Sequence, residues 1–351
     1  MITGVTPTPT TARPHVTEPP PWLTAATTVT DPALRDAVGQ LHPDLAAMAE
    51  YHKGWVDADG HPIPGRVHGK RIRAALALWS AQVAGADPKV GLPAATAVEL
   101  VHDFSLLHDD IMDNDRLRRG RPTVWAVYGT GPAILLGDAL HTLAQTILSN
   151  TEPHGHHAAG RLAAAICDLC RGQAADLQFE HREHVPVQEY LSMVDGKTSA
   201  LMRAATTLGA ILAGADTTTI AELDRLGHHL GVLFQIVDDL LGLFGDPETT
   251  GKPAHSDLVR RKKTLPILAA LESPTPAGQE LARLLRHSEL YEADLAHATA
   301  LVDQAGGAAR ARNECEWHRG QARAVLARLK LPHDVEEMMV ALLTFVTDRG
   351  L

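Results

Sequence analysis

The spacing of apolar residues predicts helices along most of the chain. Apolar side chains recur at steps of three and four in two long runs, which place them on one face of a helix. The positions are Leu136, Leu140, Leu143 and Ile147, and then Leu223, Leu226, Leu230, Leu233, Val237 and Leu240. Alternating strand patterns are nearly absent, and Gly and Pro gather in short breaks such as GHPIPG at 60–65. We therefore expect an all-α protein, a single large helical bundle around a central cavity.

The first residues differ from the rest in composition. The chain begins MITGVTPTPTTARPHVTEPPPW, which is rich in Thr and Pro and lacks the apolar core of a signal peptide. The middle of the chain shows neither an internal repeat nor a Gly/Ser linker. We expect a disordered leader over residues 1–30 and one domain over residues 31–351.

Composition narrows the classes of protein. A hydrophobic content of 45% supports a sizeable core, and with aromatics at 4% the core must be filled mainly by aliphatic side chains. A net charge of -10 argues against a nucleic-acid-binding surface. No run of eighteen or more apolar residues is present, so we expect no membrane span.

The three cysteines indicate neither a disulfide framework nor a metal site. Cys167 and Cys170 form a CxxC inside an apolar helical stretch, and the only other cysteine is Cys315. We interpret the pair as small core residues. This usage suits a reducing compartment, and we expect the protein to be cytoplasmic.

Charge is concentrated after one apolar helical run. The stretch SLLHDDIMDNDRLRRGRP places four aspartates and four arginines between Asp109 and Arg121. On a helix Asp109 and Asp113 lie one above the other on one face, where their charges repel unless a cation sits between them. A second run, LFQIVDDLLGLFGD, ends in Asp238 and Asp239. Two helices with paired aspartates at their ends, facing each other, would make an oxygen-only site of the kind that Mg²⁺ prefers when phosphate oxygens complete its shell.

Basic residues accompany both acidic motifs. Arginines and lysines are the donors that two diphosphate groups would need. They are Lys70, Arg71, Arg73, Arg118, Arg119, Lys197, Lys252 and Lys262. Acidic and basic residues would then lie together for a reason. The metal would bind between the carboxylates, a diphosphate would bind the metal, and the cations would surround the remaining diphosphate oxygens.

At this point the chain resembles a known family. From about residue 35 to the end it is similar to trans-isoprenyl diphosphate synthases of the polyprenyl synthetase family. The segments that carry the resemblance occur in the family's order. They are GKRIR (69–73), HDFSLLHDDIMDNDRLRRGRPTVW (102–125), GDAL (137–140), GQAADL (172–177), KT (197–198), FQIVDDLLG (234–242), GDPETTGK (245–252) and DLVRRKKTLP (257–266).

The resemblance implies roles for individual residues and three bound Mg²⁺ ions. It implies that Asp109 and Asp113 hold two ions against the allylic diphosphate, that Asp238 holds a third, and that Asp239 and Asp257 act through bound water. The expected contacts of the allylic substrate are Arg118, Lys197, Thr198, Gln235, Lys252 and Lys262. The diphosphate of isopentenyl diphosphate is expected at Lys70, Arg73, His102 and Arg119. A homodimer is usual in this family.

The implied reaction needs no dedicated side-chain base. Ionisation of the allylic diphosphate gives a cation in a dry pocket, isopentenyl diphosphate adds to it, and the departing diphosphate takes the proton. Two residues depart from the family's pattern, since Gly242 stands where a third aspartate is usual and Ala74 stands where proline is usual. We expect activity, with the affinity for the third ion in question.

Other functions fit parts of the sequence. A class I terpene cyclase also uses an aspartate-rich helix and Mg²⁺, but it normally has a different second metal motif and lacks GKRIR. A phosphohydrolase with the doublet His108–Asp109 would need further spaced histidine ligands. A non-catalytic subunit of a heteromeric synthase tends to lose the aspartates, and here the first motif is complete.

Two residues before the first motif bear on product length. Ser105, four residues before Asp109, is small, whereas Phe104 is bulky and lies about 7.5 Å below Asp109 along the helix. An aromatic here without an insertion in the first motif resembles geranylgeranyl diphosphate synthases. We expect a geranylgeranyl product, with a farnesyl or longer product as the alternative and a purely structural Phe104 as another reading.

Overall fold

Helices form nearly all of the part described by the computed structural model, which comprises residues 18–64, 69–245, 255–287 and 290–348. The first ten, in chain order, are α1 (Pro21–Val38), α2 (Pro43–Lys53), α3 (Ile72–Val83), α4 (Leu92–Met112), α5 (Val124–Tyr128), α6 (Thr130–Ser149), α7 (Gly155–Glu180), α8 (Val187–Val194), α9 (Ala200–Leu212) and α10 (Thr217–Phe244). The others are α11 (Ser256–Val259), α12 (Leu265–Leu271), α13 (Pro276–Leu284), α14 (Glu292–Gln304), α15 (Gly307–Leu329) and α16 (His333–Thr347). The prediction of an all-α bundle is confirmed, and the central cavity stays a prediction.

Short elements of other types lie between the helices. A 3₁₀ turn at Pro88–Gly91 precedes α4, and a π-helix at Asp195–Ser199 joins α8 to α9 without a break. Among the described residues the strands are limited to β1 (Leu117–Arg118) and β2 (Arg121–Pro122), an antiparallel pair, and to an isolated bridge. The hairpin folds the arginine-rich segment back against the end of α4.

The bundle is organised around α9. This helix packs against α3, α4, α7 and α10, and nearly all of its side chains are buried. Small residues such as Ala204, Ala205 and Gly209 allow the neighbouring helices to approach closely. A second, smaller apolar cluster joins α10 to α11, α12, α13 and α14.

The predicted leader is too long. Helix α1 begins at Pro21, and Leu23, Ala26 and Thr30 are buried within it. The Pro-rich composition concealed this start because proline is well tolerated in the first turn of a helix. The boundary expected at residue 30 therefore falls inside α1, and residues 1–17 lie outside the described part of the chain.

The interpretation of Cys167 and Cys170 as core residues is wrong. Both side chains are exposed on α7, whereas Cys315 is buried. The residues that α7 buries on either side of them are Ile166 and Leu169. Positions 167 and 170 are three apart, so they share the solvent face of the helix.

One helical segment, Pro88–Met112, is long and apolar enough to cross a membrane by length and composition alone. In the structure, 72% of its most apolar window is buried inside the bundle, as in the core helix of a folded domain. This segment contains α4, so its hydrophobicity is explained by packing.

Candidate active site

The first aspartate motif lies at the end of α4. Asp113 caps the helix, and its backbone N–H donates to the carbonyl of Asp109 at 2.8 Å. Burial raises the pKa of Asp109 to about 6, and the carboxylates of Asp113 and Asp176 push in the same direction against Lys197 and Arg118. The pair that the sequence predicted is therefore a crowded set of carboxylates with cations close by.

Asp110 has a role that the sequence interpretation missed. It is buried, and its Oδ1 accepts a hydrogen bond from Nε of Arg118 at 2.7 Å. Burial is the main reason that the pKa of Asp110 is raised. The next residue on a helix points about 100° away, so Asp110 turns from the face of Asp109 to hold the hairpin arginine. The sequence feature from which this role could have been predicted is the pair of adjacent aspartates, Asp109 and Asp110.

Lys197 is positioned by the π-helix and by α7. Its Nζ donates to Oδ2 of Asp176 at 2.6 Å. Burial would lower the pKa of Lys197, but the carboxylates of Asp176 and Asp109 outweigh it and raise that pKa. A Cβ at Gly172 would lie 2.1 Å from the backbone nitrogen of Lys197, so only glycine lets α7 and the π-helix come this close. Asp176 belongs to the GQAADL segment, for which the sequence predicted no role, and the structure shows that it is the partner of Lys197.

The second motif is built around Asp239. Its Oδ2 accepts from the hydroxyl of Tyr190 and from the backbone N–H of Leu265, and its Oδ1 accepts from Nε2 of Gln235 at 3.0 Å. Thr198 in turn donates to Oε1 of Gln235 at 2.8 Å. Burial raises the pKa of Asp239 to about 7 although these hydrogen bonds oppose it.

These contacts limit what Asp239 can do. A carboxylate offers about four acceptor positions, and three are taken by protein donors. Asp239 fixes the start of α12 and the side chains around it, which leaves at most one position for the predicted water. Asp238 is half-buried one residue earlier on α10.

Asp257, the last predicted carboxylate, lies directly against α10. A Cβ built on Gly242 would be 2.2 Å from Oδ2 of Asp257. The backbone carbonyl of Asp257 also accepts the N–H of Lys262 at 2.8 Å, and the side chain of Lys262 is exposed. Lys252 lies outside the described residues.

Arg260 connects the first motif to the segment that carries Asp257. It makes a two-point contact with Asp115, with Nη1 to Oδ2 at 3.0 Å and Nη2 to Oδ1 at 2.8 Å. This bond raises the pKa of Arg260, and the carboxylates of Asp113 and Asp257 add to the effect. One guanidinium therefore interacts with carboxylates of the first motif and with Asp257. Asp257 in turn lies against α10 and interacts electrostatically with Asp239 of the second motif, so it lies between the two acidic groups.

A second group of cations lies near the start of α3. Nη1 of Arg73 is 3.4 Å from Nε2 of His102 on α4. Burial and the charge of Arg73 lower the pKa of His102 well below its usual value, and Arg119 contributes to this effect. Arg119 reaches back from the hairpin towards Gly69. Lys70 is exposed, and its Nζ lies 4.4 Å from the ring centroid of Phe345 on α16. The four residues predicted for isopentenyl diphosphate thus lie in one region.

Arg71, between Lys70 and Arg73, has a structural role. Its guanidinium binds Asp31 at 2.9 Å and Glu99 at 3.0 Å. These contacts connect α1, α3 and α4. Arg71 is buried, so it is not among the residues available to a diphosphate.

Phe104 and Ser105 differ in their surroundings. Phe104 is buried, and its ring packs against His108 at 4.9 Å and His141 of α6 at 5.5 Å between centroids. Ser105 is half-buried, and its hydroxyl donates to the carbonyl of His102 at 2.8 Å. Phe104 therefore faces α6, and its effect on product length stays a prediction.

The donor set suits a hard divalent cation. The candidate ligands Asp109, Asp113, Asp238 and Asp257 supply only carboxylate oxygen, which Mg²⁺ prefers over softer ligands. Asp109 is a carboxyl with a raised pKa that interacts with two more carboxylates. A bound cation would relieve this repulsion, so the residues present fit the metal.

Comparison with known proteins agrees with the geometry. The family model described as polyprenyl synthetase matches residues 65–302. The chain is 50% identical over 279 residues to a geranylgeranyl diphosphate synthase of Mycobacterium tuberculosis, with 79% of each chain covered. It is 42% identical over 334 residues to a (2E,6E)-farnesyl diphosphate synthase of Mycobacterium bovis, covering 94% of this chain and 93% of the other.

Solved structures give the same result. A polyprenyl synthetase from Streptomyces coelicolor A3(2) superposes with a TM-score of 0.90 at 44% identity, covering 93% of this chain and 98% of that one. A polyprenyl synthase from Caulobacter crescentus CB15, complexed with calcium and isoprenyl diphosphate, has a TM-score of 0.80 at 29% identity, covering 94% of this chain and 98% of that one.

Proposed function

Because the chain belongs to the polyprenyl synthetase family, we propose that it condenses isopentenyl diphosphate with an allylic diphosphate to make geranylgeranyl diphosphate. The chain is a trans-prenyltransferase with an all-α fold. The observation that carries the proposal is the presence of two cationic groups with different partners, one around Lys197 and Arg118 beside the aspartates, the other around Arg73 and His102.

The acidic motifs are proposed to hold three Mg²⁺ ions. Asp109 and Asp113 would hold two, Asp238 would hold the third, and Asp257 would act through water. When bound, the metal supplies Lewis-acid stabilisation of the diphosphate leaving group. The family's use of divalent metal and the calcium in the Caulobacter complex support metal binding at such a site.

Protein side chains would hold the leaving diphosphate. Lys197 and Arg118 are each fixed by a carboxylate, so their N–H groups are already oriented when substrate arrives. Thr198 of the π-helix and Gln235 of α10 are hydrogen-bonded to each other, and both would contact the same diphosphate. Such preorganised donors favour the charge that develops on the leaving group.

The second cationic group would hold isopentenyl diphosphate. Arg73 and His102 are buried enough that both pKa values are lowered, so a bound anion gains much from Arg73. Arg119 would close over the diphosphate from the hairpin, and Lys70 from the start of α3. Holding the second substrate here converts the condensation into a reaction between two oriented groups.

Two product lengths are candidates, twenty carbons and fifteen carbons. The relative with 50% identity is a geranylgeranyl diphosphate synthase, while the farnesyl diphosphate synthase is matched over a larger share of the chain. Incubation with labelled isopentenyl diphosphate and each allylic starter, followed by chromatography of the products, distinguishes twenty from fifteen carbons. A main product of fifteen carbons would replace the proposed product, and absence of any condensation would reject the prenyltransferase function.

We also propose a cytoplasmic homodimer without a membrane span. The free cysteines are compatible with a reducing compartment. The burial of α4 inside the bundle accounts for its apolar character without a membrane. Gel filtration with light scattering measures the mass, and cell fractionation tests the location.

A further inference from the structure

Three histidines meet between α10 and α15, outside the site described above. His228 and His229 are adjacent on α10, and His318 faces them from α15. One ring nitrogen of each lies within 4.8 Å of the others. His318 is buried and the other two are half-buried. Within the described residues, the only other such cluster is Asp57, Asp59 and His61 in a turn around Gly60, whose groups are largely exposed.

Two of the three nitrogen atoms lie close to the spacing of ligands that share one ion. Nδ1 of His229 and Nδ1 of His318 are 3.0 Å apart. Two nitrogens that each lie about 2.0–2.1 Å from a zinc ion are separated by roughly 3.3 Å in a tetrahedral site. A small change of side-chain angle would bring the two rings to this distance.

Carboxylates lie behind two of the three rings. Nδ1 of His228 is 2.6 Å from Oδ1 of Asp195, which leaves Nε2 of His228 available. Nε2 of His318 is 3.6 Å from Oε1 of Glu314, while its Nδ1 faces His229. A carboxylate behind a metal-binding histidine fixes its tautomer and raises its basicity. Asp195 is itself held by Nη1 of Arg203 at 3.2 Å.

Histidine binds a metal ion as neutral imidazole. Burial is the main cause that lowers the pKa of His229 to about 4 and that of His318 to about 3, and the neighbouring histidines add to it.

We propose that His228, His229 and His318 form a binding site for a transition-metal ion, with Zn²⁺ as the expected occupant. Three imidazoles suit Zn²⁺ and its neighbours in the series, whereas the carboxylates of the active site suit Mg²⁺. Three protein ligands leave a fourth position for water. The two sites therefore differ in ligand chemistry and take different metals.

Such a site would join elements that also position substrate. The ion would bridge α10 and α15, and through Asp195 it would reach the π-helix that carries Lys197. An ion that binds only the folded chain stabilises it. We expect ZnCl₂ to raise the melting temperature of the protein.

The first test measures metal binding in the full-length chain without a polyhistidine tag. Asp109→Asn and Asp238→Asn are introduced together so that the carboxylate site does not compete. Titration with CoCl₂ should give one site with the strong visible absorption of four- or five-coordinate cobalt on nitrogen, and ZnCl₂ should displace it. Trp317 packs edge-on against His229 and His318 with centroids 5.7 and 4.7 Å away, so its fluorescence should be quenched by cobalt.

Substitutions locate the site. His229→Gln and His318→Gln should each weaken cobalt binding by about 100-fold or more, and Asp195→Asn by about 10- to 100-fold because it only supports a ligand. Two control variants remove other candidate ligands from α7, namely the exposed pair His156→Gln/His157→Gln and the exposed pair Cys167→Ser/Cys170→Ser. Both controls should bind as the parent does.

The outcomes separate the proposal from its alternatives. Absence of a single cobalt site in the parent, or binding that survives His229→Gln and His318→Gln but is lost in a control, overturns it. If His318→Gln does not fold, His228→Gln on the half-buried side supplies the same comparison. An anomalous-scattering peak for zinc between the three rings in a crystal would support the site, and a peak elsewhere only would reject it. Because binding is measured without turnover, failure here leaves the prenyltransferase proposal untouched.

Discussion

Asp257 occupies the space that a side chain at Gly242 would need. A Cβ at residue 242 would lie 2.2 Å from Oδ2 of Asp257, well inside van der Waals contact. The family's usual aspartate is replaced here by glycine, and a carboxylate from the segment after α10 lies in its place. We infer that the absence of a side chain at Gly242 lets Asp257 take the position from which it would act on the third metal ion through water.

Gly242→Ala should therefore raise the Mg²⁺ concentration needed for half-maximal activity, by about tenfold, because Asp257 must move away. Gly242→Asp brings its own carboxylate and should need less Mg²⁺ than the alanine variant. Gly160→Ala is the matched control, since this helical glycine has open space around its Cβ position. An unchanged Mg²⁺ requirement in Gly242→Ala would contradict the inferred role of Asp257.

Asp109→Ala and Asp238→Ala should each lower kcat by about 100-fold or more, a loss of about 3 kcal/mol in transition-state stabilisation. Each removes a carboxylate from the proposed metal site. Asp36→Ala, an exposed position on α1, serves as control. Steady-state kinetics at saturating Mg²⁺ provide the measurement, and near-normal turnover in either variant, or full activity in excess chelator, would reject the site.

Arg73→Ala should chiefly raise KM for isopentenyl diphosphate, by about tenfold or more, because a charge-assisted hydrogen bond is lost. Its neighbour supplies a contrast. Arg71→Gln leaves Glu99 buried without its partner and should lower the free energy of unfolding by about 3–5 kcal/mol. If Arg73→Ala instead raises KM for the allylic substrate, then the region around Arg73 binds the allylic diphosphate, and the proposed assignment of the two regions is wrong.

Phe104→Ala should shift products to twenty-five carbons and beyond if this ring ends the tail pocket. Ser105→Phe fills the position nearer Asp109 and should stop growth at about fifteen carbons. Opposite shifts in the two variants exclude a general loss of stability as the cause. Chromatography of the labelled products gives the lengths, and an unchanged product from Phe104→Ala would assign the floor to another helix. Phe104 packs against His108 and His141, so a purely structural role for its ring is the alternative that this experiment tests.

Asp103→Asn should lower the free energy of unfolding by about 3–5 kcal/mol at neutral pH, because it leaves the buried ammonium of Lys53 unpaired. Burial alone would raise the pKa of Asp103, but Lys53 and His52 hold it well below its usual value. This stabilisation is therefore complete above pH of about 4 and is lost as the pH falls through the lower folded-state pKa. Urea unfolding of both proteins between pH 3 and 7 tests this, and a constant difference across the range would contradict it.

The sequence predicted the parts of this protein that depend on local pattern. Helical periodicity gave the all-α fold, and the spacing of Asp109 and Asp113 placed both on one face. Contacts between distant segments were not predictable in this way. Lys197 pairs with Asp176, and Arg71 is taken up by ion pairs with Asp31 and Glu99. Both sets of contacts depend on how the helices pack. The predicted end of the leader and the predicted burial of Cys167 and Cys170 are wrong because composition does not show which residues of a helix contact a neighbouring helix.

The π-helix at Asp195–Ser199 constrains the length of the chain between α8 and α9. A π turn holds one residue more than an α turn. Deleting a single residue here would restore a continuous α-helix and rotate α9 by about 100° relative to α8. Since α9 is buried on nearly every side, such a rotation would disturb its packing with all four neighbours at once. A gain or loss of one residue in this segment is therefore not tolerated.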